Sequence, residues 1–161
     1  MTGAPKGSPL RLGIAGLGTV GGGVIRMVEE NADLLTARCG RSVQVTAVSA
    51  RDRSRDRGLD LSAFAWHDDP VDLARSDEID VFVELIGGDE GPARDAVEAA
   101  IAAGKDVVTA NKALIAHHGT ALARAAEDAG VALNFEAAVA GGIPIVKAMR
   151  EGLAGNRYAR V

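Results

Sequence analysis

Apolar positions along this chain alternate between two spacings: short unbroken runs, and longer stretches in which they recur every three or four residues. Residues 11–15 form a run that leads straight into glycines, the pattern of a buried strand ending in a tight turn. From Val20 onward, Val24, Met27, Val28 and Leu35 recur at helical spacing, and Asn31 and Asp33 mark where that helix ends or bends. Residues 43–50 (VQVTAVSA) are β-branched and predict a second strand, and the Arg/Asp-rich residues 51–57 predict a solvated loop. A short third strand over 64–67 and a weak helix over 70–75 precede the clearest buried strand, IDVFVELI at 79–86. Pro92 starts the next helix, with Ala93, Ala96, Val97, Ala100 and Ile101 on one face and Gly104 as its stop. A strand over 106–109, a helix with Leu122, Ala125, Ala126 and Ala129 inward and Gly130 as its stop, and a strand over 131–135 follow. Residues 144–153 (PIVKAMREGL) predict a last helix whose apolar side is Ile145, Val146 and Met149.

Strand and helix therefore alternate almost throughout, which predicts an α/β fold with a doubly wound parallel sheet, the Rossmann arrangement. The 161 residues suffice for one domain with a real core. Aromatic residues are only 3% of the chain, so Ala, Val, Leu and Ile must build that core, as suits a parallel sheet under Ala-rich helices. A net charge of −4 argues against a nucleic-acid partner. Residues 1–9 are small, polar and Pro/Gly-rich, without the apolar segment of a signal peptide, and no apolar stretch is long enough to cross a bilayer. The expectation is a cytoplasmic protein with a loose N-terminal tail and no membrane partner. Cys39 is alone, which excludes an intrachain disulfide, and is expected to be a small packing residue.

The chemistry starts at the first turn. Gly16-Leu17-Gly18-Thr19-Val20-Gly21 is a G-x-G-x-x-G between a strand and an apolar-faced helix, the context in which that motif binds a dinucleotide. Gly16 permits the turn, Gly18 lets the backbone approach a pyrophosphate, and Gly21 lets helix and strand pack closely. The amides of Thr19 and Val20 face the phosphates, where the helix dipole favours negative charge. The end of the second strand selects the cofactor, an acid holding the ribose diol of NAD and an arginine the 2′-phosphate of NADP. Arg51 comes first there and favours NADP, while the adjacent Asp52 leaves NAD open. Ile86 and Gly87 end the fourth strand, where they can line the nicotinamide ribose, and Asn111 and Lys112 lie just after the fifth on the same rim. His117 and His118 are adjacent on a helix, point about 100° apart and cannot chelate one metal together; both are read as helix-start residues, and His67 as an ordinary loop histidine.

Four segments carry a resemblance: GLGTVGGG at 16–23, ELIGG at 84–88, GKDVVTANKALIA at 104–116 and FEAAVAGGIPI at 135–145. In this order they resemble the nucleotide-binding part of homoserine dehydrogenase, across almost the whole chain after the tail. The resemblance implies an oxidoreductase interconverting L-aspartate 4-semialdehyde and L-homoserine with NADPH or NADH, on the route to threonine, methionine and isoleucine. It assigns Lys112 to the active centre, in contact with cofactor and substrate. It also assigns a monovalent cation, such as sodium, to Glu136, Val139, Gly141 and Ile143. Oxygen-only ligation from a glycine-rich turn suits a hard cation, and a hinge with a solvated glutamate fits the same residues.

The family continues into a dimerising, substrate-binding region that holds the acids gripping the substrate and the proton-donor lysine. The expected division is a tail at 1–9, a cofactor domain at 10–140 and the start of that region at 141–161, with its first strand due near Tyr158. The chain alone is then expected to bind cofactor without turnover, and to self-associate or meet a partner chain through its C-terminal segment. A stand-alone NADP-binding module without catalysis is the competing expectation.

Overall fold

The computed structural model describes residues 7–157 and centres on one six-stranded sheet in which every pairing is parallel. Its strands are β1 (Leu10–Ala15), β2 (Val43–Ser49), β3 (Ala65–His67), β4 (Val81–Glu84), β5 (Asp106–Thr109) and β6 (Leu133–Asn134), in the order β3-β2-β1-β4-β5-β6. The sheet grows outward from β1 in both directions, so a crevice opens beyond the carboxyl ends of β1 and β4, where the order reverses. Helices α1 (Thr19–Glu30), α2 (Ala32–Cys39), α3 (Pro70–Arg75), α4 (Pro92–Ala102) and α5 (Lys112–Ala129) connect the strands. After β6 come α6 (Glu136–Ala140), α7 (Ile145–Lys147) and a π-helical turn over Ala148–Gly152. The expected tail lies outside the described residues as far as position 6, as does the strand expected near Tyr158.

Alternate strand residues feed opposite faces of the sheet. Ala15, Ala47, Phe82 and Val107 join Leu73, Val97, Ala100, Leu114 and Leu122 in a core beneath α3, α4 and α5. Ile14, Val48, Val81 and Val83 pack on the other face with Leu17 and with Ile25 of α1. The face of α4 is the one its alanines predict.

Several details differ from the sequence expectation, each for a local reason. α1 buries Gly21, Gly22, Ile25 and Val28, while Val20 and Met27 are exposed. Gly21 has to face the strand, because a Cβ there would lie 2.0 Å from the carbonyl oxygen of Gly16, and this contact sets the rotation of the helix. Asn31 both ends α1 and opens α2, its side-chain amide donating to Met27 O at 2.9 Å. In α5 the buried stripe is Leu114, Leu122 and Ala126, and Ala125 and Ala129 turn to solvent. β4 is shorter than the apolar run, although Asp80 N and Leu85 N still bond Arg11 O and Ala15 O of β1 at 2.8 Å each. It ends where the amide of Ile86 turns to the Glu84 side chain. β6 covers only part of residues 131–135. The last helix is split, with Leu153 N bonding Ala148 O at 3.0 Å in the wide π-type ring. Cys39 is exposed at the end of α2 rather than packed. His67 closes β3 rather than sitting in a loop, with Nε2 3.2 Å from Glu78.

Candidate functional site

A cleft of about 620 Å³ lies over the carboxyl ends of β1, β2 and β4. Its floor is Gly16, Leu17 and Gly18, one side is Ser49 to Asp52 with Arg55 and Arg57, and the other is Leu85 to Gly88. Gly16 has φ +100° and donates its amide to Ser49 O at 2.8 Å, and a Cβ on it would meet Leu85 O at 2.4 Å. The turn is thus clamped between β2 and β4, which only glycine allows. Gly18 differs, since a Cβ there would meet nothing within 4 Å. That open space above the backbone, with α1 starting at Thr19, is what a pyrophosphate requires. The first helical bond runs from Gly22 N to Gly18 O at 2.9 Å, which leaves the amides of Thr19 and Val20 without an intrahelical acceptor. The residues present therefore fit a dinucleotide.

On the β2 side, Arg51 is exposed and lines the cleft. The Asp52 carboxylate is turned back on its own loop, accepting the amide of Ser54 at 2.9 Å and its hydroxyl at 2.6 Å. Those two bonds, the hydroxyl's first, hold Asp52 below the ordinary carboxylate range. Arg57 makes the long connection, its Nε donating to Leu17 O at 3.2 Å and its Nη2 to Asp52 O at 2.6 Å. Its guanidinium carbon lies 6.0 Å from the centre of the Trp66 ring, and that of Arg53 lies 5.6 Å away.

On the β4 side the wall is a loop with two successive left-handed glycines, Gly87 at φ +84° and Gly88 at φ +85°. The buried Glu84 accepts the amides of Ile86 and Gly87 at 2.8 and 3.0 Å, and the hydroxyl of Thr109 at 2.5 Å. Asn111 caps α5 by accepting Leu114 N at 3.1 Å and donates its side-chain amide to Gly88 O at 2.5 Å. Lys112 follows as the first residue of α5, exposed and outside the lining of the cleft, but anchored to its wall through that neighbouring cap.

Of the residues expected to bind cofactor, Gly16, Gly18, Arg51, Ile86 and Gly87 line one cleft. Thr19 and Val20 stand at its helix start, and Gly21 lies beneath. Sequence reasoning missed Glu84 and Thr109, although a carboxyl in the middle of an apolar run was the available signal. The proposed cation residues lie apart, at the carboxyl end of β6. Both oxygens of Glu136 are already engaged, accepting Val146 N at 2.9 Å and Lys147 N at 3.0 Å, and Ile143 O accepts Ile145 N at 2.8 Å. Val139, Gly141 and Ile143 are exposed. His117 and His118 pair with different acids, Asp89 at 3.6 Å and Glu90 at 2.9 Å, and sit in the second turn of α5 rather than at its start.

A sheet reversing between β1 and β4, with a glycine turn and a helix start at the reversal, defines a dinucleotide-binding domain. The family model for the NAD-binding domain of homoserine dehydrogenase matches residues 16–136. The chain belongs to that family. The homoserine dehydrogenase of Pseudomonas aeruginosa is 50% identical over 149 residues, covering 92% of this chain and 34% of the relative. That of Neisseria gonorrhoeae is 46% identical over 153 residues, covering 95% of this chain and 35% of the relative. The crystal structure of a homoserine dehydrogenase from Thiobacillus denitrificans superposes with a TM-score of 0.86 at 48% identity, over 94% of this chain and 35% of that one. The chain thus spans about a third of the length of the relatives it matches. Among the described residues, no helix is long and apolar enough to cross a membrane.

Proposed function

We propose that this chain supplies the cofactor side of an active centre that interconverts L-aspartate 4-semialdehyde and L-homoserine, a reaction on the route to threonine, methionine and isoleucine, in the cytoplasm. Residues 10–140 are the cofactor domain, and residues 141–161 begin the region that carries substrate binding and self-association. The cofactor is NADP rather than NAD. The observation that carries this choice is the pair Arg51 and Asp52: both line the cleft, but one oxygen of the carboxylate that would select NAD is turned back to the amide and hydroxyl of Ser54, while the arginine is exposed along the cleft. A planar guanidinium suits a 2′-phosphate.

Gly16 and Gly18 admit the pyrophosphate, Thr19 and Val20 donate amides to it, and Ile86 and Gly87 face the nicotinamide ribose. The bound nicotinamide supplies or accepts a hydride. Lys112 is the cationic group that holds the substrate oxygen and its proton on the β5 side. In the assembled centre Glu136, with the carbonyls of Val139, Gly141 and Ile143, holds a monovalent cation, using the lone pairs that the amides of Val146 and Lys147 leave free.

Calorimetric titration with NADPH and NADH, followed by an assay of NADP-dependent homoserine oxidation, tests this reading. The expected result is tighter binding of NADPH and no turnover by these 161 residues. Turnover by this chain alone would overturn the division of labour, and binding of neither cofactor would sink the reading altogether.

A further inference from the structure

Glu84 ends β4 with its side chain wholly out of water, where a carboxyl is costly unless its oxygens are satisfied. One oxygen takes the amides of Ile86 and Gly87, and the other takes the Thr109 hydroxyl from the end of β5. Thr109 Oγ in turn accepts the amide of Asn111 at 3.0 Å, and Asn111 reaches back to Gly88 O. The chain of bonds closes on itself: strand β4, its loop, strand β5, the cap of α5 and the loop again. Leu85 and Ile86 anchor the start of the loop in the cores on either face of the sheet, but the two glycines that follow have no side chains to fix them. Positions 87 and 88 carry no side chain, and a Cβ at either would meet nothing within 4 Å.

The charged β2 side of the cleft takes the adenosine half of a dinucleotide, and the pyrophosphate crosses at the glycine turn. The nicotinamide half must then lie against residues 86–88. We propose that Glu84 is a positioning residue for that half, holding the loop at 86–88 and the start of α5, with Lys112, in one register through Thr109 and Asn111. This rests on the cleft being a dinucleotide site.

The test compares two ligands on the 161-residue chain: NADPH, and 2′-phospho-ADP, which lacks the nicotinamide and its ribose. In Glu84→Gln an amide nitrogen replaces the oxygen that accepts the Thr109 hydroxyl, so the hydroxyl proton loses its acceptor and the bond survives only with its direction reversed, while the remaining oxygen keeps the loop amides. The variant is expected to bind NADPH about tenfold more weakly, the loss of roughly one buried bond to a charged group, and the shorter ligand within about twofold of the parent. Thr109→Val is expected to behave alike and Thr109→Ser to restore the parent's affinities, and this pair decides the matter if Glu84→Gln does not fold. Equal loss of both ligands, no loss of either, or a parent chain that binds NADPH no better than the shorter ligand overturns the proposal. A parent chain that binds neither ligand refutes the cofactor reading beneath it.

Discussion

The two walls of the cleft are built by opposite means. On the β2 side, residues 51–58 are charged, largely exposed and shaped by short-range turns, with Asp52 bonding Ser54 and Asp56 bonding Gly58. On the β4 side, one buried carboxyl ties two strands, a glycine loop and a helix cap together across 25 residues of sequence. A wall made of local turns can change its side chains without disturbing the sheet, which suits a selectivity determinant. A wall made of a buried polar network tolerates almost no change, because each partner removed leaves another unsatisfied. Under the proposed function, precision is thus concentrated beside the nicotinamide, and adaptability beside the 2′-phosphate.

The sharpest way to break this contrast is to remove each wall's acid. Glu84→Ala strands three donors and is expected to lower stability by about 3 kcal/mol, read by urea unfolding. Asp52→Ala, on a fully exposed loop, is expected to leave the unfolding midpoint where it is. Equal midpoints for the two variants would erase the distinction.

The next effect is on binding. Arg51→Ala is expected to weaken NADPH about tenfold, some 1.4 kcal/mol, and NADH hardly at all, as measured by calorimetry. Equal loss for both cofactors would detach Arg51 from the 2′-phosphate.

Asn111 separates two contributions within the rigid wall. Asn111→Ala removes the cap on Leu114 and the tether to Gly88, at about 1 kcal/mol for the cap alone. Asn111→Asp keeps the acceptor for Leu114 but loses the donor to Gly88, so it is expected to unfold closer to the parent while binding NADPH as poorly as the alanine variant.

The smallest effect calibrates the rest. Away from both walls, Arg11 and Asp80 pair at 2.6 Å, and the guanidinium holds the Asp80 carboxyl below its ordinary range. The stability it contributes is complete above the unfolded carboxyl pKa, near ~3.9, and is lost as pH falls through the lower folded value. With both side chains partly solvated, that loss is expected to stay under about 1 kcal/mol. Thermal unfolding between pH 6 and pH 2 should show a slightly steeper acid decline for the parent than for Asp80→Asn, and parallel curves would remove the pair from the account.

Much of this was legible beforehand, and what was not has a common cause. The alternation of runs and helical repeats defined the sheet, and the glycine turn sat where its neighbours required. In α1 Val28 is buried as expected, but Val20 and Met27 are exposed because apolar spacing cannot register that Gly21 is pressed onto Gly16. Glu84 was visible as a letter inside a buried strand, but its partner Thr109 ends another strand and Asn111, one bond further on, caps the helix after it, and spacing reveals only local partners. Glu136 is a similar case: its engagement with Val146 and Lys147 spans ten residues and a turn. The Asp52–Ser54 turn, by contrast, is local enough for sequence to have suggested it.

Arg57 carries a consequence for engineering. Its guanidinium closes the charged loop on itself through Asp52 O and Arg55 O, and fastens it to the rest of the domain at Leu17 O. Residues 51–57 therefore form a cassette that Arg57 latches to the glycine turn, with further contacts from Arg26 Nη2 to Arg57 O at 3.4 Å and from Arg53 to the Trp66 ring. On the proposed reading, a graft that carries the whole cassette, latch included, is expected to exchange the dinucleotide preference while the glycine turn and the sheet keep their shape. A graft that stops short of Arg57 cuts the latch and frees the loop from the turn it is meant to serve.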